Sequence, residues 1–163
     1  MRFYHIKDDF IDFLRQFDSK VSENKNQTRP YVGVVLEING TKYYAPLSSP
    51  KAKHRNMKNG KDFRKIGGGI YGAINFNNMI PAIDAALLEI DIAGIADVKY
   101  RRLLQNQYNA IRKDEDGILK TARSLHELIF SDEKNLSAHD RAVKQRCCNL
   151  KLLEEKFFEW RQA

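Results

Sequence analysis

Cysteine is almost missing from this chain: the only two, Cys147 and Cys148, are neighbours. Adjacent residues are poorly placed for an unstrained disulfide, so a disulfide framework is excluded and a reducing cytoplasm is the expected compartment. The four histidines, His5, His54, His126 and His139, are scattered. With no Cys-x-x-Cys or His-x-x-x-His spacing, a zinc centre has no ligands to build on, and the expected chemistry works without a metal or other cofactor. Long apolar runs are missing too. Met1-Arg2-Phe3-Tyr4-His5 gives way to charged residues within a few positions, so no export signal is expected, and no later stretch is long enough to span a bilayer. Internal repeats, low-complexity tracts and linkers are also lacking, which makes residues 1–163 a single expected domain. Acidic residues are in short supply: 28 Lys+Arg face 21 Asp+Glu, leaving a charge of +7. A basic surplus on a small domain attracts polyanions, and nucleic acid is the leading candidate.

What is present has a clear order. Phe3 to Ile6 form a short strand, Asp8 or Asp9 is the expected N-cap, and Phe10, Phe13, Leu14, Phe17 and Val21 recur at helical spacing. Tyr31 to Ile38 and Thr41 to Leu47 flank Asn39-Gly40, the strongest short hairpin signal. Ser48 to Lys65 is polar and basic without periodicity, so a long functional loop is expected. Two further strands are expected over Ile70 to Phe76 and Ala86 to Ile92, separated by Pro81. The period then changes. Tyr100, Leu104, Tyr108 and Ile111 share one helical face, as do Ile118, Ala122, Leu125 and Ile129 after an interruption at Gly117. Ser131 to Gln145 is polar, and Asn149 caps a last helix striped by Leu150, Leu153, Phe157 and Trp160. Strands first and helices later make an α+β domain.

The segment Tyr44-Ala45-Pro46-Leu47-Ser48-Ser49-Pro50-Lys51-Ala52-Lys53-His54 ends a strand in two hydroxyls, a proline-fixed turn, cations and an imidazole. Cleaving an RNA phosphodiester without metal requires proton transfer from the 2'-hydroxyl and to the leaving 5'-oxygen, which an imidazole suits. Charge building on the phosphoryl oxygens needs preorganised donors, which hydroxyls, Lys and Arg supply. Turn chemistry at a hairpin end, with lysines on a solvated loop, explains the same residue types. Gly67 to Gly69 lacks the Lys-Ser/Thr of a phosphate-binding loop.

Taken together, Phe3-Tyr4, Val32-Gly33-Val34-Val35-Leu36-Glu37, Tyr44 to Lys51 with His54, Ile74-Asn75-Phe76 before Met79-Ile80-Pro81, and Asn149 to Lys156 resemble the ToxN/AbiQ family. The resemblance runs from the first strand nearly to the end. It implies a compact core of twisted antiparallel sheet with flanking helices, similar to Kid/MazF toxins. It also implies a type III toxin-antitoxin endoribonuclease that is sequence-selective and leaves 2',3'-cyclic phosphate and 5'-hydroxyl ends. The implied partners are target mRNA and a pseudoknotted repeat RNA antitoxin, joined in a closed protein-RNA ring, and a phage-defence role is implied with them.

By the same resemblance Ser48, Ser49 and Lys51 line the cleavage site, Ser48 standing where a Thr is common. Arg29 stands where the family often has a lysine. A guanidinium binds phosphate well but is a poor proton donor, so Arg29 suits charge stabilisation, and proton transfer falls to His54 or Lys51. A family tyrosine aligns near Gln105, with Tyr108 one turn on. Lys53, Lys58, Lys61, Arg64, Lys65, Arg101 and Arg102 are the candidate phosphate-binding groove, although a solvated charged face accounts for them equally. Tyr4 and His5 are expected to be structural. A non-catalytic RNA-binding regulator is the competing reading.

Overall fold

The hairpin at Asn39-Gly40 organises the first half of the molecule. In the computed structural model, which describes residues 1–161, β1 (Arg2–Ile6) leads into α1 (Asp8–Arg15), and β2 (Tyr31–Ile38) returns as β3 (Thr41–Ser48). Asn39 and Gly40 have φ of +50° and +81°, the tight turn whose twist matches antiparallel strands. The first helix opens differently from expectation. Lys7 is its N-cap and makes no side-chain cap bond; Asp8 and Asp9 lie inside the first turn, where their charge faces the positive end of the helix dipole.

The stretch from Ser48 to Lys65 is more ordered than its composition suggests. It holds a short helix, α2 (Ala52–Asn56), and a strand, β4 (Phe63–Lys65). Next come β5 (Ala73–Asn75), β6 (Ile80–Ala82) and β7 (Leu87–Glu89). Pro81 therefore lies within a strand rather than between two. It pairs with Tyr43 in β6, beside the first half of β3, where a strand with one outer edge tolerates the missing N–H. The sheet is antiparallel, in the order β4-β5-β3-β2-β1-β7.

Helices cover this sheet. α3 (Val98–Lys113) and α4 (Glu115–Phe130) carry the expected stripes, and Gly117 lies in the first turn of α4 rather than interrupting a helix. Ile118, Ala122, Leu125 and Ile129 are buried, and α4 packs over β2. Each such large aliphatic side chain contributes about 1.5–3 kcal/mol by leaving water. The polar stretch after Ser131 contains α5 (Ala138–Arg146), started by a Ser137 hydroxyl that accepts from Asp140 N–H at 3.1 Å. Asn149 caps α6 (Leu150–Lys156) as expected, accepting from Leu152 N–H at 3.2 Å. Trp160 closes the core edge-on against Phe10, with ring centroids 5.4 Å apart. No helix among the described residues is long and apolar enough to cross a membrane.

Candidate active site

The end of β3 is held from both sides. Tyr31 of β2 pairs with Pro46, while Ile74 and Ala73 of β5 pair with Leu47 and Ser48. Asn75, at the end of β5, donates through Nδ2 to Ser48 Oγ. That contact uses an acceptor site of the hydroxyl and leaves its proton free to donate elsewhere. Ser49 and Pro50 are exposed beyond the strand, and Lys51 is the N-cap of α2. Its backbone is tied twice to His54: Lys51 N–H donates to His54 Nδ1 at 3.1 Å, and His54 N–H donates to Lys51 O at 3.0 Å.

Beside this strand end lies an open cleft of about 530 Å³. β3 and the turn after it supply Leu47, Ser48, Ser49 and Lys51; β1 supplies His5; α3 supplies Tyr100, Leu103, Leu104 and Gln107. The remaining wall is Lys25, Thr28, Arg29 and Pro30, just before β2. Lys25, Asn26 and Gln27 adopt a left-handed turn with φ of 50°, 56° and 61°. Buried Asn24 anchors it, donating to Ile6 O at 2.6 Å and Asp8 Oδ1 at 2.7 Å. Arg29 Nε donates to Glu23 O at 2.8 Å, which orients the guanidinium while its outer nitrogens make no hydrogen bond among the described residues.

Lys25, Arg29 and Lys51 thus line one cleft whose described lining contains no carboxylate. A site so built favours a phosphodiester, whose charge needs fixed cations and hydroxyl donors. Burial pushes the His5 imidazole below its usual pKa and raises the Tyr100 phenol above its own. At neutral pH the first is therefore a proton acceptor, and the second keeps its hydroxyl.

Ser48, Ser49 and Lys51 of one motif and Arg29 from a separate segment line the same cleft. His54 does not. It is 2% exposed, tilted against the Phe63 ring, and absent from the cleft lining. Burial, then the charges of Lys51 and Lys53, hold its pKa down, so it stays a neutral acceptor for the Lys51 backbone rather than meeting substrate. Tyr108, the candidate for RNA contact one turn beyond Gln105, is half-buried, packs edge-on against Phe3 at 5.9 Å between centroids and does not line the cleft.

The candidate groove also divides. Lys61 pairs with Asp140 at 2.5 Å, and Arg64 makes a two-pronged pair with Asp114, its Nη2 at 2.6 Å. Arg101 donates to Ile95 O at 2.7 Å. These three have partners within the protein, and Arg64 also lines the cleft that holds Lys65. Lys53, Lys58 and Arg102 are exposed away from the cleft lining, and Lys65 lines a neighbouring cleft of about 580 Å³ with Asn59, Tyr71 and Lys113. Among the described residues no three His, Cys, Asp or Glu side chains gather as metal ligands.

Sequence reasoning missed Lys25, Thr28, Tyr100 and Gln107 and set His5 aside. The one signal available was on α3, where positions 100, 103, 104 and 107 share a face that ends in an amide.

Comparison with known proteins identifies the family. The family model described as toxin ToxN of type III toxin-antitoxin systems matches residues 2–157. The endoribonuclease ToxN of Pectobacterium atrosepticum is 34% identical over 96% of this chain and 92% of its own length. A solved type III system, in which a non-coding RNA pseudoknot selectively inhibits the toxin, superposes with a TM-score of 0.86. It is 31% identical and covers 99% of this chain and 98% of the other. AbiQ, a lactococcal anti-phage endoribonuclease of the same system type, superposes with a TM-score of 0.80 at 27% identity, covering 97% and 96%. The chain belongs to the ToxN family of type III toxin-antitoxin endoribonucleases.

Proposed function

We propose that this endoribonuclease toxin, acting as one domain over residues 1–163, cuts single-stranded target mRNA by metal-independent transesterification in the cleft at the end of β3. The 2'-oxygen loses its proton and attacks the adjacent phosphorus; the P–O2' bond forms as the P–O5' bond breaks. A 2',3'-cyclic phosphate and a 5'-hydroxyl result. His5, the imidazole of the cleft lining, is neutral and takes the 2' proton. Lys51 returns a proton to the 5'-oxygen. Ser48, whose oxygen already accepts from Asn75, donates to a non-bridging oxygen together with Ser49, and the free edge of Arg29 holds the same phosphate. Lys25 steadies a neighbouring phosphate.

The observation that carries the reading is the convergence of two serine hydroxyls and three cations in a cleft lined by no carboxylate among the described residues. Inhibition follows from the same electrostatics, since a pseudoknotted repeat RNA can lay its own backbone through the cleft and exclude substrate. RNA units bridging neighbouring toxins would close a ring. Toxicity in the cytoplasm, released on infection, fits the anti-phage role of AbiQ.

The test is incubation of RNA-free protein with a long single-stranded transcript in excess EDTA, with mapping of the ends. Discrete cuts ending in 2',3'-cyclic phosphate are expected, and Ser49→Ala is expected to slow them about a hundredfold or more. Salt-sensitive binding without cleavage by either protein would replace this reading with that of a non-catalytic RNA-binding regulator.

A further inference from the structure

One wall of the cleft is too apolar to serve phosphate. Tyr100, Leu103, Leu104 and Gln107 lie on one face of α3, and their polar atoms are the Tyr100 hydroxyl and the Gln107 amide. Gln107 is 2% exposed. Its Nε2 donates to the Tyr71 carbonyl oxygen at 2.8 Å, while its Oε1 has no partner among the described residues. The amide cannot turn over, because that would set Oε1 against the Tyr71 carbonyl, acceptor against acceptor. Gln107 therefore holds a fixed acceptor at the cleft wall, covered from solvent. Buried carbonyls without a donor are costly, so a ligand that supplies one gains affinity that another ligand cannot.

We propose that Gln107 is a base-specificity residue: its Oε1 accepts the exocyclic amine of one nucleobase seated against the Tyr100–Leu104 wall beside the scissile phosphate. An exocyclic amine projects beyond its ring and reaches the covered oxygen when the side chains around it yield to the seated base. The ring N–H of uracil lies between two carbonyls and does not. Adenine, cytosine or guanine is therefore favoured over uracil at that one position. The inference rests on the RNA-cleavage reading and adds the determinant that makes the cut selective.

The experiment uses the full chain and a random single-stranded RNA pool, with sequencing of the cut ends to find the preferred base. Two oligoribonucleotides then follow, one with that base and one with its counterpart lacking only the amine: purine riboside for adenosine, inosine for guanosine, or the 4-deamino pyrimidinone riboside for cytidine. For the unaltered protein, kcat/KM is expected to favour the amine by about tenfold to a hundredfold. In Gln107→Met, similar in length but without the amide, that ratio is expected to fall toward one. The comparison on the unaltered protein needs no variant to fold. Uracil accepted equally at every position flanking the cut would overturn the inference, as would Gln107→Met retaining the full ratio. Those failures leave Ser49-dependent cleavage standing; a protein that cuts no RNA overturns the cleavage reading and this inference together.

Discussion

Adding one methyl group at Gly72 tests whether the end of β3 must stay where it is for the site to work. Gly72 has φ of +97° and turns the chain from Tyr71 into β5. An alanine Cβ there would stand 3.1 Å from the carbonyl carbons of Ser48 and Ser49 and closer still to the Ser48 oxygen, inside the 3.0 Å limit that real Cβ atoms respect. Both obstacles are backbone, so no side chain can swing aside. The positive φ costs an alanine about 1–2 kcal/mol, and the overlap about 1–3 kcal/mol more if β3 and β5 part to relieve it. A loss of about 2–5 kcal/mol lowers the melting temperature by about 5–15 °C for a chain of this size. Displacement of the two serines by about 1 Å costs about a hundredfold in cleavage, because the reacting geometry is lost. Gly40→Ala is the control, since Gly40 has φ of +81° with nothing within 4 Å and lies at the far end of the same hairpin. It shares the conformational cost and not the collision. Thermal melts and single-turnover cleavage of both variants decide the matter. If Gly72→Ala melts and cuts like Gly40→Ala, the claim that strand pairing positions Ser48 and Ser49 is wrong.

Two further outcomes follow from the charges. Burial holds the His5, His54 and His126 pKa values below 6.5, so the unfolded chain takes up protons there before the native state does, and stability falls as pH drops below 6.5. Each histidine contributes a slope of up to about 1.4 kcal/mol per pH unit. Burial raises Glu154, which protonates earlier in the native state and opposes the trend at the lower end of the range. Denaturant midpoints at pH 7.5, 6.5 and 5.5 should decline, less so in His54→Phe; a flat profile would refute the assignment. In a Ser49→Ala background, Lys51→Met should reduce the log–log salt slope of single-stranded RNA binding by about 0.7, the effect of one lost phosphate contact. Lys61→Met, already paired with Asp140, should leave it unchanged, and equal shifts would mean that the ion pairs do not remove those cations from binding.

Features encoded over a few neighbouring residues were legible in advance. Asn39-Gly40 carries its turn, Leu150 and Leu153 their helix face, and Ser48-Ser49-Pro50-Lys51 its cluster of donors, because each pattern acts through adjacent turns or pleats. Residues assembled by the sheet were not. His5 reaches the cleft because β1 lies beside β2, and Gln107 because α3 crosses the same end; nothing local in either segment specifies that meeting. His54 misled for a related reason. Its spacing from Lys51 is that of an N-cap and the third residue of a helix, so its ring accepts from the Lys51 N–H and closes the helix start. The basic stretch has no visible period to mark that helix, so in the sequence the imidazole reads as chemistry.

The same stretch explains why so many cations stand near the site without serving it. Asp62 is 5% exposed and receives Arg146 through two bonds, at 2.6 and 2.8 Å. Lys61 reaches Asp140 on α5, and Arg64 reaches Asp114 at the start of α4. Exposed pairs such as Lys61–Asp140 are worth little singly, about 0–1 kcal/mol. Three in a row along residues 61–64, backed by the pairing of β4 with β5, fasten the segment to the helical layer. α2 is carried on that fastened segment, packed against the Gly67–Gly69 turn, and Lys51 is carried on α2. Part of the basic surplus is therefore spent on architecture, and that use helps give Lys51 a fixed address, while the Asn24-anchored turn places Lys25 and Arg29. In the proposed mechanism the attraction for RNA is concentrated where Lys25, Arg29 and Lys51 face a common cleft, beside hydroxyls that the same strand pairing holds in place.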